Sequence, residues 1–441
     1  MTTTGNRGHG QQSVPTVLSP EPRVGRASDG TDQMAETVLD NGVRVLSEYI
    51  PSVRSAAVGV WVKQGAVHEP DPSSGVSHLL EHMVFKGTEK RSAAEIALAL
   101  EGLGGSLDAY TSREHTSYQA RVLDEHLDEA LDVLADLTLS PLLRPEDLDL
   151  EREVVLEEIA QVEDTPDDLI FELHSDRLWR GHPYGRSILG SQESVAELSA
   201  DTLRALHNDT YRGENLIVAA AGNVSHGKLV ETVEHLFGSR TGSAVNATVS
   251  APESVRSGEE HVARATAQTH VVFGTKVPGH EDPNRYPLAL LSSALGGGMS
   301  SRLFQRVREE MGLCYSVFTY QSFYSVCGVS GVYVGTRPAS ADAAVEAIST
   351  ELAKIASEGL SRDELDQTKR QVKGQVMLSL ESTGSRLYRL ASFALHDKPF
   401  LGLDGLLEKI DEVSVDDVHR AAERYYAPAN QFILRLGPEA A

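Results

Sequence analysis

The stretch HLLEHMVFKGT, residues 78–88, decides the interpretation of this chain, because it sets two histidines and a glutamate at the spacing of one helix face. His78 and His82 are four residues apart, and on an α-helix such side chains project from the same face with Cβ atoms about 5–6 Å apart. Two neutral imidazoles in this arrangement can bind one Zn²⁺ ion. Glu81 reaches the same rim without being a ligand, where a base acting on a zinc-bound water would stand. The order H-x-x-E-H is the inverse of H-E-x-x-H.

A zinc site with one position open for water needs a third protein ligand, and the acidic stretch at residues 148–168 supplies candidates. Glu151 and Glu158 are seven residues apart, so two helical turns return them to one stripe. One can bind the metal while the other stands behind it as the partner of a ligand. The alternative is a merely solvated acidic helix, and Glu157 is predicted to lie on the surface. A buried face is predicted for the apolar residues Leu148, Val154, Val155, Ile159 and Val162.

Further stretches extend the pattern along the chain: GGSLDAYTSREHTSYQARVL at 104–123, HPYGRSILG at 182–190, YRGENLIVAAAGN at 211–223 and GGGMSSRLFQRVREEMGLCYSV at 296–317. Together with HLLEHMVFKGT and LEREVVLEEI, they resemble the pitrilysin/insulinase family of zinc peptidases, in its processing-peptidase-like branch. The resemblance runs from about Val38 to the C-terminus.

The resemblance implies one Zn²⁺ per chain, held by His78, His82 and a glutamate well downstream of the second histidine. Glu158 matches that glutamate, because it lies 158 − 82 = 76 residues beyond His82. Glu151 then matches the family's second acidic position, and Glu81 its general base. The implied fold is α+β, with two homologous tandem α/β-sandwich domains of the LuxS/processing-peptidase type that form the halves of a shell around a cavity.

One departure from the family pattern concerns substrate binding. Asp108 stands where the family usually has an asparagine that holds the substrate backbone, and an ionised carboxylate cannot donate a hydrogen bond as an amide does. Its charge is expected to weaken a nearby metal-bound nucleophile. Arg308 and Tyr315, with Arg302, are further substrate-binding candidates from the second half. The alternative is that the arginines pair with neighbouring acids and that Tyr315 belongs to the core.

The chain is predicted to consist of a disordered tail at 1–34, a catalytic zinc-binding domain at 35–240, a polar linker at 241–258 and an inactive homologous domain at 259–441. The second domain repeats the plan of the first. HVVFGTKVPG corresponds to AVGVWVKQGA. YPLALLSSALGGG corresponds to VSHLLEHMVFKGT, the predicted metal helix, but its segment PLALLSSAL has no ionisable group. This is the pattern of a duplicated domain in which one copy keeps the chemistry.

Composition limits the partners. The 441 residues carry a formal net charge of −24, whereas nucleic acids and anionic membranes attract basic proteins, so neither is an expected partner. The two cysteines favour reduced thiols. The N-terminal segment lacks the roughly 7–15 apolar residues of a secretory signal, and no stretch reaches about 18 apolar residues, so a cytoplasmic location without a membrane span is expected.

These patterns predict a zinc-dependent endopeptidase that hydrolyses peptides or extended protein segments, with Glu81 as the general base on a zinc-bound water. Two other functions remain open: a non-catalytic core or partner subunit, and a subunit active only beside a sister chain. A homodimer, or a heterodimer with a related subunit, is expected from the resemblance.

Overall fold

A nearly all-apolar strand, SAAVGVWV, lies inside the first of two sheets in the computed structural model, which describes residues 33–243, 245 and 247–439. Small and β-branched side chains suit such a strand because both of its faces are covered. The strands of the first sheet are β1 (Gln33–Val38), β2 (Arg44–Tyr49), β3 (Ser55–Val62), β4 (Ser106–Thr111), β5 (Thr116–Leu123) and β6 (Leu216–Gly222).

In this sheet the strand order is β1-β2-β6-β3-β5-β4, with one parallel pair, β2 and β6. The β4 strand is outermost and pairs with β5. The helices of the same half of the chain are α1 (Val76–Val84), α2 (Ala93–Glu101), α3 (Leu127–Leu139), α4 (Pro145–Asp164), α5 (Pro166–Trp179), α6 (Gln192–Glu197), α7 (Ala200–Thr210) and α8 (His226–Phe237).

The second half of the chain builds a five-stranded sheet with its own helices. Its strands are β7 (Gly258–Ala263), β8 (Thr269–Val277), β9 (Cys314–Phe323), β10 (Gly328–Thr336) and β11 (Phe432–Gly437). Its helices are α9 (Arg285–Gly296), α10 (Ala341–Glu358), α11 (Arg362–Ser379), α12 (Thr383–Leu395), α13 (Leu403–Glu412) and α14 (Val415–Tyr425), and a π-helical segment spans Phe304–Glu310.

The two sheets repeat one plan, as the sequence predicts. The second has the order β7-β11-β8-β10-β9, and its single parallel pair, β7 with β11, occupies the place of β2 with β6. The α9 helix contacts the outermost strand β9, just as α1 contacts β4. The chain therefore contains two tandem α+β domains of like topology, and the helix equivalent to the metal helix carries no metal-binding side chain.

One helix from each half packs on the sheet of the other half. The α5 helix packs on β8 and β11 of the second sheet, while α12 packs on β2, β3 and β6 of the first. The α12 helix contributes Leu387, Leu390, Ala391 and Ala394 to an apolar cluster with Leu46, Ala57, Trp61, Ile217, Ala219 and Ala221. The two halves are thus interlocked through apolar cores, rather than joined by the linker alone.

Ion pairs hold α12 against the first sheet at both of its ends. Arg386 near its start pairs with Glu48, which is fully buried on β2. Just beyond its C-terminus, Asp397 contacts Arg44 at 2.8 Å and Lys63 at 2.9 Å. Breaking one partner of a buried pair is costly because it leaves a desolvated charge, so the contact between the halves is polar as well as apolar.

The predicted domain limits need one correction at the N-terminus. Residues 33 and 34 belong to β1, because they continue its antiparallel pairing with β2, so the predicted tail of 1–34 is two residues too long. Residues 1–32 of that tail lie outside the described residues. Gly258, predicted as the last linker residue, is the first residue of β7. Among the described residues, no helix combines the length and apolar character needed to cross a bilayer.

Candidate metal centre

The metal helix α1 is placed by its apolar side. Val76, Leu79, Leu80, Met83 and Val84 are buried in the core of the first domain. The remaining face carries His78, Glu81 and His82 and is packed beside α4. Helical periodicity therefore brings the three polar groups of the motif to one side.

A glycine starts this helix for a steric reason. Gly75 has a φ of 90°, a left-handed conformation that favours glycine. A Cβ at this position would lie 2.5 Å from the carbonyl oxygen of Leu189. Any larger residue would displace the start of α1, and with it the first histidine three residues on.

The α4 helix supplies the carboxylates. Pro145 occupies its first turn, where a missing N–H costs nothing. Leu148, Val155 and Ile159 are buried as predicted, but Val154 is 45% exposed and its predicted burial is wrong. Glu151 takes the buried place instead, because steps of three and four residues from Leu148 lead to Glu151 and then to Val155.

Three side chains converge between α1 and α4. The ligand atoms of His78, His82 and Glu158 all lie within 4.8 Å of one another. Nε2 of His78 is 3.7 Å from Oε2 of Glu158, and Nε2 of His82 is 3.7 Å from Oε1 of the same residue. The neighbouring Glu157 is exposed, as predicted.

This group fits a zinc ion. Zinc binds imidazole nitrogen at about 2.0–2.1 Å and carboxylate oxygen at about 2.0–2.2 Å, so adjacent ligand atoms of a tetrahedral site lie about 3.3–3.5 Å apart. The observed 3.7 Å separations are too long for hydrogen bonds and near this value. Burial, followed by the charge of His82, lowers the pKa of His78 to about 4, which keeps its imidazole neutral as a ligand must be.

Glu151 stands behind the histidines. Its Oε2 is 3.2 Å from Nδ1 of His82, and its Oε1 pairs with Lys86. A proton on Nδ1 that is held by Glu151 leaves the lone pair of Nε2 directed toward Glu158 and His78. Sequence reasoning missed Lys86. Its position four residues after His82 could have indicated that the two side chains lie on the same side of the helix.

Glu81 is 8% exposed and is held by one strong contact from the sheet. The Thr111 hydroxyl donates to Oε2 of Glu81 at 2.6 Å. Burial raises the pKa of Glu81 above its ordinary value, against the lowering effect of Thr111 and His82, and the charge of Glu158 adds to the rise. A raised pKa suits a carboxylate that accepts and returns a proton near neutral pH. Sequence reasoning did not identify Thr111.

The β4 strand determines where Asp108 points. Leu107 and Ala109 pack against the core that contains α1, and Thr111 bonds to Glu81, so these alternate residues share the face toward the metal helix. Asp108 is exposed and belongs to the opposite face. The Asp108 carboxylate therefore points away from the strand face that carries Thr111, the partner of Glu81. Its role in substrate binding stays a prediction.

The candidates from the second half have local partners. Arg302 binds Glu364 and the carbonyl oxygen of Gly359, so it pairs with a neighbouring acid. Arg308 lies over the rings of Phe304 and Tyr315, at 4.5 and 4.9 Å from their centres. Tyr315 is 79% exposed and is not a core residue. Arg308 and Tyr315 thus form a stacked pair, and their role toward substrate stays a prediction.

Two family models match most of the chain. The family described as "Insulinase (Peptidase family M16)" matches residues 44–192, and the one described as "Peptidase M16 inactive domain" matches residues 197–372. An uncharacterized zinc protease of Streptomyces coelicolor is 38% identical over 422 residues, covering 94% of this chain and 91% of that protein. The uncharacterized zinc protease YmxG of Bacillus subtilis is 39% identical over 388 residues, covering 88% and 94%.

Solved structures share the fold. A peptidase M16 inactive domain from Pseudomonas fluorescens superposes with a TM-score of 0.87 at 21% identity, covering 93% of this chain and 98% of that one. A protease from Helicobacter pylori gives 0.85 at 23% identity, covering 93% and 100%. The matches along the sequence, at 38–39% identity over most of the chain, show that this protein belongs to the insulinase family of peptidases, family M16.

Proposed function

We propose that this chain is a zinc-dependent endopeptidase in which His78, His82 and Glu158 hold one zinc ion and Glu81 is the general base. The observation that carries the proposal is the convergence of these three ligand atoms within 4.8 Å, with Glu81 on the same helix face. Relatives named zinc proteases support it. A bound zinc ion would supply Lewis-acid polarisation of the scissile carbonyl and lower the pKa of water.

The chain's own residues have separate tasks in this proposal. Glu81 accepts a proton from the attacking water and returns it to the leaving nitrogen, and burial, which raises its pKa, favours the proton uptake. Thr111 holds one oxygen of Glu81 at 2.6 Å and so fixes the direction of the other. Glu151, which is itself paired with Lys86, holds His82 at Nδ1.

The substrate class follows from the strand beside Glu81. Since β4 is the outermost strand of its sheet, one of its edges can pair with an extended peptide, whose main chain would then run past the metal helix. Most backbone groups of a folded protein are already paired internally, whereas an extended segment has its N–H and C=O groups free to pair with β4. We therefore propose peptides and extended protein segments as substrates, and a dimer remains an expectation from the family resemblance.

The test is cleavage of a mixed peptide library by the purified, zinc-loaded chain beside its Glu81→Gln variant. The variant should retain about one zinc ion per chain and lose about 10²–10⁴-fold in rate, the usual contribution of a general base. Cleavage by the variant at the parental rate would sink the assignment of Glu81.

A parent chain that binds zinc but cleaves nothing would contradict activity of the chain alone. Co-expression with a related subunit would then separate a chain that needs a sister subunit from a non-catalytic partner subunit. The first would gain Glu81-dependent cleavage in the complex, and the second would not.

A further inference from the structure

A buried carboxylate holds the start of the metal helix. Glu69 is 4% exposed, and its Oε2 accepts a hydrogen bond from the backbone N–H of Gly75 at 2.7 Å. Its Oε1 accepts from the N–H of Ser77 at 2.8 Å. The helix has no side-chain cap of its own, because its first flanking residue is Gly75. Glu69 thus satisfies two N–H groups that the start of a helix leaves without internal partners.

The two contacts lie next to the metal ligands. Ser77 precedes His78, and α1 has only nine residues. Side chains end about 5–6 Å from a helix axis, so a rotation of about 10° would move an imidazole nitrogen by roughly 1 Å. A displacement of that size near reacting atoms can cost about 10²-fold in rate. Two hydrogen bonds to one carboxylate restrain both the rotation and the position of the helix.

Glu69 is itself fixed to the hairpin that supports Glu81. It follows the short 3₁₀ turn Ala66–His68, whose Ala66 and Val67 N–H groups donate to the carbonyl oxygens of Ser112 and Arg113 at 3.2 and 2.8 Å. Ser112 directly follows Thr111, which bonds to Glu81. The hairpin between β4 and β5 therefore contacts α1 at its start, through Glu69, and again in its second turn, through Glu81.

Burying the Glu69 carboxylate carries a desolvation cost. Burial raises the pKa of Glu69 to about 7, although the contacts with Ser77 and Gly75 and the charge of Arg186 oppose the rise. A neutral cap would avoid the desolvation of a charge. The ionised group, however, can accept at both oxygens and interacts favourably with the positive end of the helix dipole.

We propose that Glu69 is a positioning residue of the metal centre, which sets the direction of His78, Glu81 and His82 through the N-terminus of α1. This inference rests on the proposed function for its catalytic consequence. Its structural part concerns the metal-free chain and can be tested independently.

The first experiment is hydrogen exchange on the metal-free full chain, comparing the parent with Glu69→Gln. The amides of residues 77–80 should exchange at least about tenfold faster in the variant, while those of α14 should be unchanged. Glu95→Gln is the matched control, because Glu95 accepts from a backbone N–H at the start of α2 but does not touch α1. Unchanged exchange in α1 of the Glu69 variant would overturn the proposal.

The second experiment measures zinc affinity by competition with a chelator, and kcat and KM at full zinc loading. Glu69→Gln should weaken zinc binding by about 10–100-fold, the size seen for other groups that orient ligands. Its kcat should fall with little change in KM, because α1 carries the base and the metal. Glu95→Gln should match the parent in every measurement.

Glu69→Asp keeps the charge but is one methylene shorter, so it should be intermediate in both experiments, and it replaces Glu69→Gln if that variant does not fold. Zinc affinity and kcat equal to the parent in folded Glu69 variants would overturn the proposal. A parent chain that binds no zinc would refute the proposed function, whereas the exchange measurement would still decide whether Glu69 holds the helix.

Discussion

The Nδ1 atom of His82 lies 3.2 Å from Oε2 of Glu151, so the imidazole is held on the side away from the proposed metal position. Its other nitrogen faces Glu158 at 3.7 Å. Two carboxylates of one helix, two turns apart, therefore address the two nitrogens of one histidine. Glu151 and Glu158 lie seven residues apart on α4, which packs against α1. They therefore reach different nitrogens of the same ring.

Glu151→Gln should weaken zinc binding without abolishing it. The amide oxygen can still accept from Nδ1 of His82, but the ion pair with Lys86 is lost and the imidazole becomes a poorer ligand. We expect a decrease of about 10–100-fold in zinc affinity, measured by chelator competition. Glu153→Gln, an exposed position on the same helix, should bind like the parent. Equal affinities for the Glu151 variant and the parent would contradict the role of Glu151.

Glu158→Gln and His82→Leu should release the metal. Each removes one of only three protein ligands, and two ligands do not hold zinc in a water-accessible site. Zinc content measured by atomic emission after gel filtration should fall from about one per chain to a small fraction. Glu157→Gln, one residue away and exposed, should keep its zinc. Full zinc occupancy in either ligand variant would refute the ligand set.

Gly274→Ala should destabilise the junction between the halves. A Cβ on Gly274 of β8 would lie 2.2 Å from Cε1 of His174, which belongs to the first-half helix α5 that packs on the second sheet. His174 is almost fully buried. Overpacking of this kind costs about 1–3 kcal/mol, which urea unfolding would detect. Gly374→Ala in the middle of α11, where a Cβ meets nothing within 4 Å, should instead stabilise by about 0.5–1 kcal/mol. A Gly274 variant as stable as the parent would show that α5 is not tightly seated.

The sequence predicts which side chains converge between α1 and α4 because this information is local. His78, Glu81 and His82 share one helix, and the spacing of Glu151 and Glu158 shows that they share another. The repeated sheet can also be predicted, since HVVFGTKVPG and AVGVWVKQGA are both composed mainly of small and β-branched residues. Which helix covers which sheet is not local information. The apolar face of α12 could cover either sheet, and only the complete fold joins Leu390 to Trp61.

The sequence left the direction of the arginine side chains in the second half open between substrate contact and pairing with acids. Six residues on an α-helix correspond to about 600°, so Arg302 and Arg308 would point to different sides even without the π-helical segment that begins at Phe304. Arg302 pairs with Glu364, which lies 62 residues further along the chain, while Arg308 stacks on Tyr315. Glu69 was missed for a similar reason, because it caps a helix from outside the helix's own sequence and no capping motif marks it.

Acid should loosen the contact between the halves through His174. Burial lowers the pKa of His174 to about 4, against the raising effect of its contact with the carbonyl oxygen of Phe432, whereas the unfolded chain binds a proton near the ordinary value of 6.5. Between these values the unfolded state holds more protons than the folded state, so the free energy of unfolding falls as pH decreases from about 6.5 to about 4. The loss from this residue is on the order of 3 kcal/mol.

His174→Gln keeps a donor for Phe432 but cannot titrate, so its unfolding free energy, measured in urea between pH 7.5 and 4.5, should depend less on pH than that of the parent. His235→Gln, at an exposed position on α8, should keep the parental slope, and a parental slope in the His174 variant would show that this histidine does not govern the acid sensitivity of the junction.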